Sequence, residues 1–296
     1  MTKWTINDIP QQNDRTYVVT GANSGLGLET ARELAARGAH VIMACRDLAK
    51  GRKACAGLHG GQVEVRRLDL ADLDSVREFA AGVEKVDVLV NNAGIMMTPL
   101  RRTKQGFELQ FGTNHLGHFA LTGLLLDRLA EGGAPRVVTV TSALHRQGSI
   151  DFDDLASEKS YSPTGNYSRS KFANVLFGLE LDRRLRAAGS PVSSLLAHPG
   201  YAATNLQSSG PTGLVSLLAK PANLLVAQPA ARGAIPQLYA ATAPEAEPGG
   251  FYGPDGFQEF RGRHPKPVRP ARSATDLELA RRLWEASEEL TDVRYL

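Results

Sequence analysis

Tyr167 and Lys171 are four residues apart in the string Tyr167-Ser168-Arg169-Ser170-Lys171. On a helix this spacing places both side chains on one face. A free tyrosine titrates at about 10, so acid/base chemistry near neutral pH requires about 4 kcal/mol of preferential stabilisation of the phenolate. One ammonium at about 4 Å supplies about that much at an effective dielectric constant of about 20. The pair could therefore transfer a proton, although the string alone fits an ordinary surface helix better.

A glycine-rich turn lies between the first expected strand and a helix that runs to Gly38. Its residues are Thr20-Gly21-Ala22-Asn23-Ser24-Gly25-Leu26-Gly27. Glycines let the backbone approach a pyrophosphate closely, and free N–H groups at the start of a helix attract the anion. Such turns also serve simple packing of a helix on a strand. The strand-turn-helix context nevertheless favours a dinucleotide at this turn.

Two neighbouring residues at the end of the second expected strand indicate whether the protein binds NAD or NADP. An acidic residue there would bind the ribose 2′-OH, and Asp47 is the candidate. Because Asp47 precedes Leu48-Ala49-Lys50, it is better explained as the N-cap of the next helix. Arg46 then remains to bind a 2′-phosphate. The sequence therefore favours NADP(H) over NAD(H), the alternative being a solvated surface arginine.

The elements that must position these residues alternate between short apolar runs and stretches of helical period. That alternation is typical of parallel strands joined by crossover helices in a doubly wound α/β fold, and 296 residues suffice for one large domain. The expected strands are Thr16–Thr20, His40–Cys45, Val63–Leu68, Val86–Asn91, Arg136–Thr141, Val192–Ala197 and a last one near Phe251. The basic, proline-rich run Arg261–Arg272 is interpreted as a spacer before a terminal helix.

In this order along the chain, the motifs resemble the short-chain dehydrogenase/reductase family. The resemblance rests on the glycine turn, Asn91-Asn92-Ala93-Gly94, Asn114, Ser142, the Tyr167/Lys171 pair and Pro199-Gly200. It implies a single Rossmann-like domain with a seven-stranded parallel sheet flanked by helices. It also implies a catalytic tetrad of Asn114, Ser142, Tyr167 and Lys171. In that tetrad Ser142 positions the substrate oxygen and Tyr167 transfers the proton. Lys171 lowers the pKa of Tyr167 and binds the nicotinamide ribose, and Asn114 holds a water molecule.

The resemblance extends to residues expected to contact the nucleotide. Asp69 and Leu70 follow the third strand, where the family contacts adenine, and Asn91, Ala93 and Gly94 follow the fourth. Pro199, Gly200 and Thr204 resemble the segment that faces the nicotinamide. The full expected cofactor-binding set is Gly21, Asn23, Ser24, Gly25, Leu26, Gly27, Arg46, Asp69, Leu70, Asn91, Ala93, Gly94, Tyr167, Lys171, Pro199, Gly200 and Thr204.

Three segments place the chain near the retinol-dehydrogenase-like branch: Ala44–Asp47, Asn114–Phe119 and Leu283–Glu288. Residues 201–228 are interpreted as a substrate cover. Its leucines would either contact an apolar ligand or simply pack helices together. Residues 257–296 are interpreted as a C-terminal extension. The resemblance also implies a homodimer formed through the helices that contain Asn114 and Tyr167.

Composition limits the remaining function classes. The balance of 34 basic and 31 acidic residues argues against nucleic acid as the main ligand. No apolar run of about 18 residues is present, and the two cysteines suit a reducing compartment, so we expect a cytoplasmic protein without a membrane span. No metal is expected at His115, His118 or His198, which lack a completing cluster. Two alternatives to an enzyme remain, a catalytically silent NADP(H)-binding regulatory protein and a basic-tail interaction module.

Overall fold

The computed structural model describes residues 3–201 and 228–296. Eight strands form one sheet in the order β3-β2-β1-β4-β5-β6-β7-β8. Their bounds are β1 Thr16–Thr20, β2 His40–Cys45, β3 Val63–Arg67, β4 Val88–Asn91, β5 Arg136–Val140, β6 Ser193–Ala197, β7 Phe251–Pro254 and β8 Pro265–Pro267. The first seven strands are parallel, as expected.

The eighth strand corrects the expected count of seven. Pro265–Pro267 pairs antiparallel with β7, with Lys266 opposite Gly253, inside the run interpreted from sequence as a spacer. An edge strand tolerates proline because its outer side has no partner that needs an N–H donor. The spacer is therefore partly a strand, and it attaches the C-terminal extension to the sheet.

Helices cover both faces of the sheet. They are α1 Gly25–Ala36, α2 Leu48–Cys55, α3 Leu73–Ala81, α4 Leu109–Phe111, a π-helix Gly112–Leu116, α5 Gly117–Ala130, α6 Pro163–Ala187, α7 Ala230–Gly233, α8 Ile235–Thr242 and α9 Leu277–Thr291. One core layer joins α1 and α8 to the sheet, with Leu34 and Leu238 fully buried. The opposite layer is built on α3, α5 and α6, with Phe119 and Phe177 at its centre.

Burial explains why the strands form where they do. All five residues of β1 and the last five of β2 are buried, which is typical of parallel strands covered on both faces. The strand order reverses direction between β1 and β4, so the carboxyl ends of the strands face a crevice at this point. The glycine turn, Asn91 and Ser142 all lie at this edge. Among the helices of the described residues, none is both long and apolar enough to cross a bilayer.

Candidate active site

Helix α6 holds Tyr167 and Lys171 on one face. The helix begins with Pro163 and is capped by Ser162, whose hydroxyl accepts a hydrogen bond from the Gly165 N–H at 3.2 Å. The Lys171 ammonium lies 5.9 Å from the centroid of the Tyr167 ring. Both side chains are buried, with 5% of Tyr167 and 3% of Lys171 exposed. The helical spacing thus places the ammonium beside the ring of Tyr167.

Burial, rather than the ammonium, dominates the ionisation of the pair. Burial raises the pKa of Tyr167 to about 12, and the Ser142 hydroxyl partly offsets this by hydrogen bonding to the phenol. Burial also lowers the pKa of Lys171 to about 8. The expected lowering of the Tyr167 pKa by Lys171, with a bound nicotinamide adding a second positive charge, stays a prediction. The Lys171 ammonium donates a hydrogen bond to the Val140 carbonyl at 3.1 Å.

Ser142 follows β5 and begins the 3-10 helix Ala143–Gln147. Its hydroxyl accepts a hydrogen bond from the Leu144 N–H at 3.2 Å, which caps that helix. The Ser142 carbonyl accepts from His145 Nδ1 at 2.7 Å. The half-buried serine is therefore fixed on both sides while its hydroxyl faces Tyr167, the arrangement needed to share a substrate oxygen.

Asn114 lies in the π-helix between α4 and α5. Its side-chain oxygen accepts from the Ile95 N–H at 2.8 Å, and its amide nitrogen donates to the Ile95 carbonyl and to Ser170 Oγ, both at 2.9 Å. Every amide hydrogen of the side chain is used, so Asn114 ties the segment after β4 to helix α6. The expected role of Asn114 in holding a water molecule stays a prediction. A single π-turn is a common feature of functional sites in helices.

Gly94 brings the segment after β4 into the tetrad. A Cβ at this position would lie 3.4 Å from the Asn114 side-chain oxygen and 3.5 Å from the Lys171 ammonium. The Gly94 backbone and the Lys171 ammonium therefore lie next to each other at the edge of the sheet. Lys171 at this point is the residue that would hold the ribose of a bound nucleotide.

Two residues of the glycine turn have left-handed backbone conformations. Gly21 and Gly25 adopt φ values of +68° and +56°, which favour glycine. Ser24 caps α1 without a side-chain hydrogen bond, so the first N–H groups of a 12-residue helix are not consumed by the cap. A Cβ at Gly27 would lie 2.5 Å from Asn92 Nδ2 and 2.6 Å from the Gly21 carbonyl. The turn residues, with Asn23 half-buried and Leu26 anchored in the core, thus fit a dinucleotide.

Three residues to which the sequence assigned no role of their own, Thr20, Asn92 and His118, hold this turn in place. Thr20 Oγ1 accepts from the Asn92 and Ala93 N–H groups at 3.0 and 2.9 Å, and it pairs with His118 Nε2 at 2.9 Å. Asn92 Nδ2 donates to the Thr20 carbonyl at 2.8 Å. The only sequence signal is a hydroxyl residue at the carboxyl end of β1, directly before the glycines. These bonds join the ends of β1 and β4, the strands beside the crevice.

The structure separates the roles of Asp47 and Arg46. Asp47 accepts a hydrogen bond from the Lys50 N–H at 3.0 Å, and its carboxylate lies 3.5 Å from the Lys50 ammonium. The Lys50 backbone hydrogen bond holds the pKa of this carboxyl below its usual range. The Asp47 carboxylate is therefore committed to the N-cap of α2, as the sequence predicted, and the neighbouring Arg46 is exposed.

Asp69, Leu70 and Asn91 occupy the edge with different exposure. Asp69 is half-buried and one of its oxygens accepts from the Ala71 N–H at 3.0 Å. Leu70 is buried against Gly117. Asn91 is fully buried and donates to Thr122 Oγ1 at 3.0 Å, so its side chain links β4 to α5 in the interior. Any nucleotide contact after β4 would come from the following backbone.

Pro199 and Gly200 follow β6 on the same edge. The Pro199 carbonyl accepts from Gln228 Nε2 at 2.6 Å, and Gly200 adopts a φ of +64°. Thr204 and nearly all of the expected cover at 201–228 lie outside the described residues. In the described part, no three His, Cys, Asp or Glu side chains are grouped to hold a metal ion, and Cys45 and Cys55 are free.

Comparison with known proteins agrees with the geometry. The family model for the short chain dehydrogenase matches residues 15–213. Human Retinol dehydrogenase 13 is 44% identical over 290 residues, covering 93% of this chain and 84% of the relative. Human Retinol dehydrogenase 12 is 42% identical over 290 residues, covering 95% and 87%.

Two solved structures share the fold. An uncharacterized protein from Mycobacterium Paratuberculosis is 50% identical, with a TM-score of 0.86 and full coverage of both chains. A protein described as an NAD(P) dependent gluconate 5-dehydrogenase from Beutenbergia cavernae, with NADP bound at low occupancy, is 25% identical with a TM-score of 0.62, covering 82% of this chain and 96% of the other. The chain therefore belongs to the short-chain dehydrogenase family, on its retinol-dehydrogenase-like branch, and is an oxidoreductase that acts on the CH–OH/C=O pair.

Proposed function

We propose that this enzyme prefers NADP(H) and interconverts an apolar carbonyl compound and the corresponding alcohol. The observation that carries the proposal is the convergence of Tyr167, Lys171 and Gly94 at the edge of the sheet, where the ammonium lies within 3.5 Å of a Cβ position on Gly94. A proton-transfer residue and a ribose-binding cation thus share one point beside the glycine turn. That point is where the reacting end of a dinucleotide belongs.

The preference for the phosphorylated cofactor is supported by Asp47. Its carboxylate already accepts the Lys50 N–H and faces the Lys50 ammonium, so using it for a ribose 2′-OH would cost the cap of α2. Arg46 is exposed beside it, and a guanidinium suits a phosphate. The solved Beutenbergia cavernae relative carries NADP, which agrees with this choice.

The residues of the tetrad divide the work of proton transfer. When bound, the nicotinamide supplies or accepts the hydride at its C4 atom. Ser142 hydrogen-bonds the substrate oxygen and Tyr167 exchanges the proton with it. A phenol with a pKa of about 12 is protonated at neutral pH, so Tyr167 is ready to donate to the oxygen of a carbonyl being reduced. Lys171, with a pKa of about 8, stays largely protonated and favours the phenolate that remains.

The apolar substrate class is supported by the curated relatives named retinol dehydrogenases, at 42–44% identity. The leucine-rich stretch expected to cover the site lies outside the described residues. We further propose a cytoplasmic enzyme, since a reducing compartment keeps Cys45 and Cys55 free. A homodimer through the helices containing Asn114 and Tyr167 is part of the same proposal.

A panel of apolar and polar carbonyl compounds, followed by loss of the NADPH absorbance band, tests the proposal. We expect turnover of apolar aldehydes or ketones with NADPH and a much lower kcat/KM with NADH. Comparable efficiency with NADH would overturn the cofactor preference. Tight NADPH binding without oxidation by any member of the panel would instead favour the catalytically silent regulatory protein.

A further inference from the structure

Two site segments are tied to one turn of the C-terminal extension. The first follows β5 and runs from Ser142 through the 3-10 helix Ala143–Gln147, and the second is His198–Tyr201, which follows β6. Both reach the turn formed by residues 256–260, which we call the 256–260 turn. Glu259 in this turn contacts side chains from both segments, although it is more than 50 residues from either in sequence.

His198 connects Glu259 to the backbone expected to face the nicotinamide. His198 Nε2 lies 3.0 Å from Glu259 Oε2, and His198 Nδ1 accepts a hydrogen bond from the Gly200 N–H at 3.2 Å. Because Nδ1 is an acceptor, Nε2 must carry the proton that it donates to the carboxylate. The ring is fully buried, so it has little freedom to move independently of Glu259. A movement of the Glu259 carboxylate would therefore move the His198 ring and, with it, the Gly200 backbone.

Arg146 connects the same carboxylate to the serine segment. Arg146 Nη2 donates to Glu259 Oε2 at 2.9 Å and to the Arg269 carbonyl at 3.2 Å. The adjacent His145 donates from Nδ1 to the Ser142 carbonyl at 2.7 Å and accepts the Ala271 N–H at 3.1 Å on Nε2. The Ser142 segment is therefore held by the C-terminal extension at two consecutive residues.

The backbone of the turn is itself arranged to aim Glu259. Gln258 and Glu259 adopt φ values of +48° and +62°, a conformation that residues other than glycine rarely take and that is concentrated at functional positions. The Tyr201 N–H donates to the Phe260 carbonyl at 2.8 Å, which fixes the turn against Gly200. Hydrogen bonding to His198, with a further contribution from Arg146, lowers the pKa of Glu259 to about 2. The carboxylate is thus charged at every pH where the enzyme would work.

We propose that Glu259 is a positioning residue, which sets the distance between the Ser142 segment and the Pro199–Gly200 segment and so aligns the substrate oxygen with the nicotinamide. The inference rests on the proposed function, because it assigns those two segments to substrate and cofactor. A shift of about 1 Å between reacting groups lowers turnover by about 100-fold. Glu259 acts through His198 and Arg146, the two side chains that it contacts in these segments.

The experiment compares Glu259→Gln and Glu259→Ala with the parent, and uses Glu278→Gln as the matched control. Glu278 also pairs with an arginine, Arg281 at 2.6 Å, but on the exposed face of α9. We measure kcat and KM on a carbonyl that the parent reduces, the Kd for NADPH, and Tm. We expect both Glu259 variants to lose about 10-fold or more in kcat while the Kd changes less than about threefold, because the phosphate contacts lie elsewhere. The control should match the parent.

Added formate should restore part of the kcat of Glu259→Ala, since a small carboxylate can bind between His198 and Arg146, and chloride should not. A folded Glu259→Gln with the parent's kcat would overturn the proposal. Failure of the proposed function is seen separately, as absence of turnover by the parent. The variants are then compared through the fluorescence of bound NADPH: an emission changed relative to the parent supports the positioning role, and an identical emission overturns it.

Discussion

The Lys171 ammonium donates to the Val140 carbonyl at 3.1 Å and lies 5.9 Å from the centre of the Tyr167 ring. The two groups that the family resemblance assigns to proton transfer are therefore close but are not hydrogen-bonded to each other through the phenol. Burial keeps the phenol protonated and weakens the hold of the amine on its proton. Both side chains are thus in states that the arrival of a substrate and a nucleotide would alter.

Replacing Tyr167 by Phe removes the hydroxyl and leaves the ring that packs beside Lys171. We expect kcat to fall by about 10²- to 10⁴-fold, the usual contribution of a general acid or base. The Kd for NADPH should change little. Tyr239→Phe is the control, because Tyr239 lies in the opposite core layer against Trp4 and Tyr252. Turnover by Tyr167→Phe within a few-fold of the parent would remove the proposed centre of the chemistry.

Replacing Lys171 by Met should raise stability while lowering turnover. The folded-state pKa of about 8 lies below the ordinary 10.5, so burial of the ammonium costs stability on the order of 3 kcal/mol at pH 7. Loss of the bond to Val140 offsets about 1 kcal/mol of that gain. We therefore expect a higher Tm together with a large loss in kcat.

The stability difference between Lys171→Met and the parent should change with pH in a defined direction. Between pH 8 and 10.5 the unfolded parent holds more protons on Lys171 than the folded parent, so the free energy of unfolding gains a rising contribution across this window. Lys171→Met lacks that contribution. Denaturant titrations at pH 7.5 and 10 should therefore show the difference in stability between variant and parent shrinking with pH. A difference independent of pH would show that Lys171 is not perturbed as described.

Replacing Arg46 by Ala should weaken NADPH more than NADH. A charge-assisted hydrogen bond contributes about 1.5–3 kcal/mol, so the Kd for NADPH should rise about 10- to 100-fold. Arg52→Ala, on the exposed side of α2, serves as the control for a general loss of positive charge. Equal weakening of both cofactors by Arg46→Ala would contradict a specific 2′-phosphate contact.

Replacing Gly27 by Ala should damage the glycine turn by steric overlap. The new Cβ would lie 2.5 Å from Asn92 Nδ2 and 2.6 Å from the Gly21 carbonyl, and overpacking of this kind costs about 1–3 kcal/mol. We expect a lower Tm and at least about 10-fold weaker NADPH binding. At Gly57 the nearest atom to an added Cβ is 3.9 Å away, so Gly57→Ala should have neither effect. Calorimetry and cofactor titration check both variants.

The sequence predicted the sheet well where burial is continuous. Both Thr16–Thr20 and His40–Cys45 have the expected bounds, and the other five expected strands differ by one or two residues at an end or were placed only approximately. Their apolar, β-branched runs predict strands from the sequence alone. The strand Pro265–Pro267 carries none, because proline argues against a strand and only the partner β7 makes the pairing favourable.

The candidate site was predictable in its residue types but not in its contacts. The family resemblance assigned Ser142, Tyr167 and Lys171 to the site, and only the shared helix face of Tyr167 and Lys171 follows from their spacing. The bonds of Asn114 to Ile95 and of Glu259 to His198 join residues 19 and 61 positions apart, and no local pattern encodes them. The desolvation that sets the Tyr167 pKa likewise depends on what packs around it in three dimensions.

The eighth strand also determines how copies of this chain can meet. Two of its three residues are prolines, which offer no amide hydrogen to an incoming strand, and the third is Lys266. The opposite border of the sheet, β3, carries Glu64, Arg66 and Arg67. Sheet borders built this way resist the edge-to-edge addition that leads to aggregation. Strand pairing between copies at either border is thereby disfavoured, which leaves the crevice at the strand ends clear of any continuous intermolecular sheet.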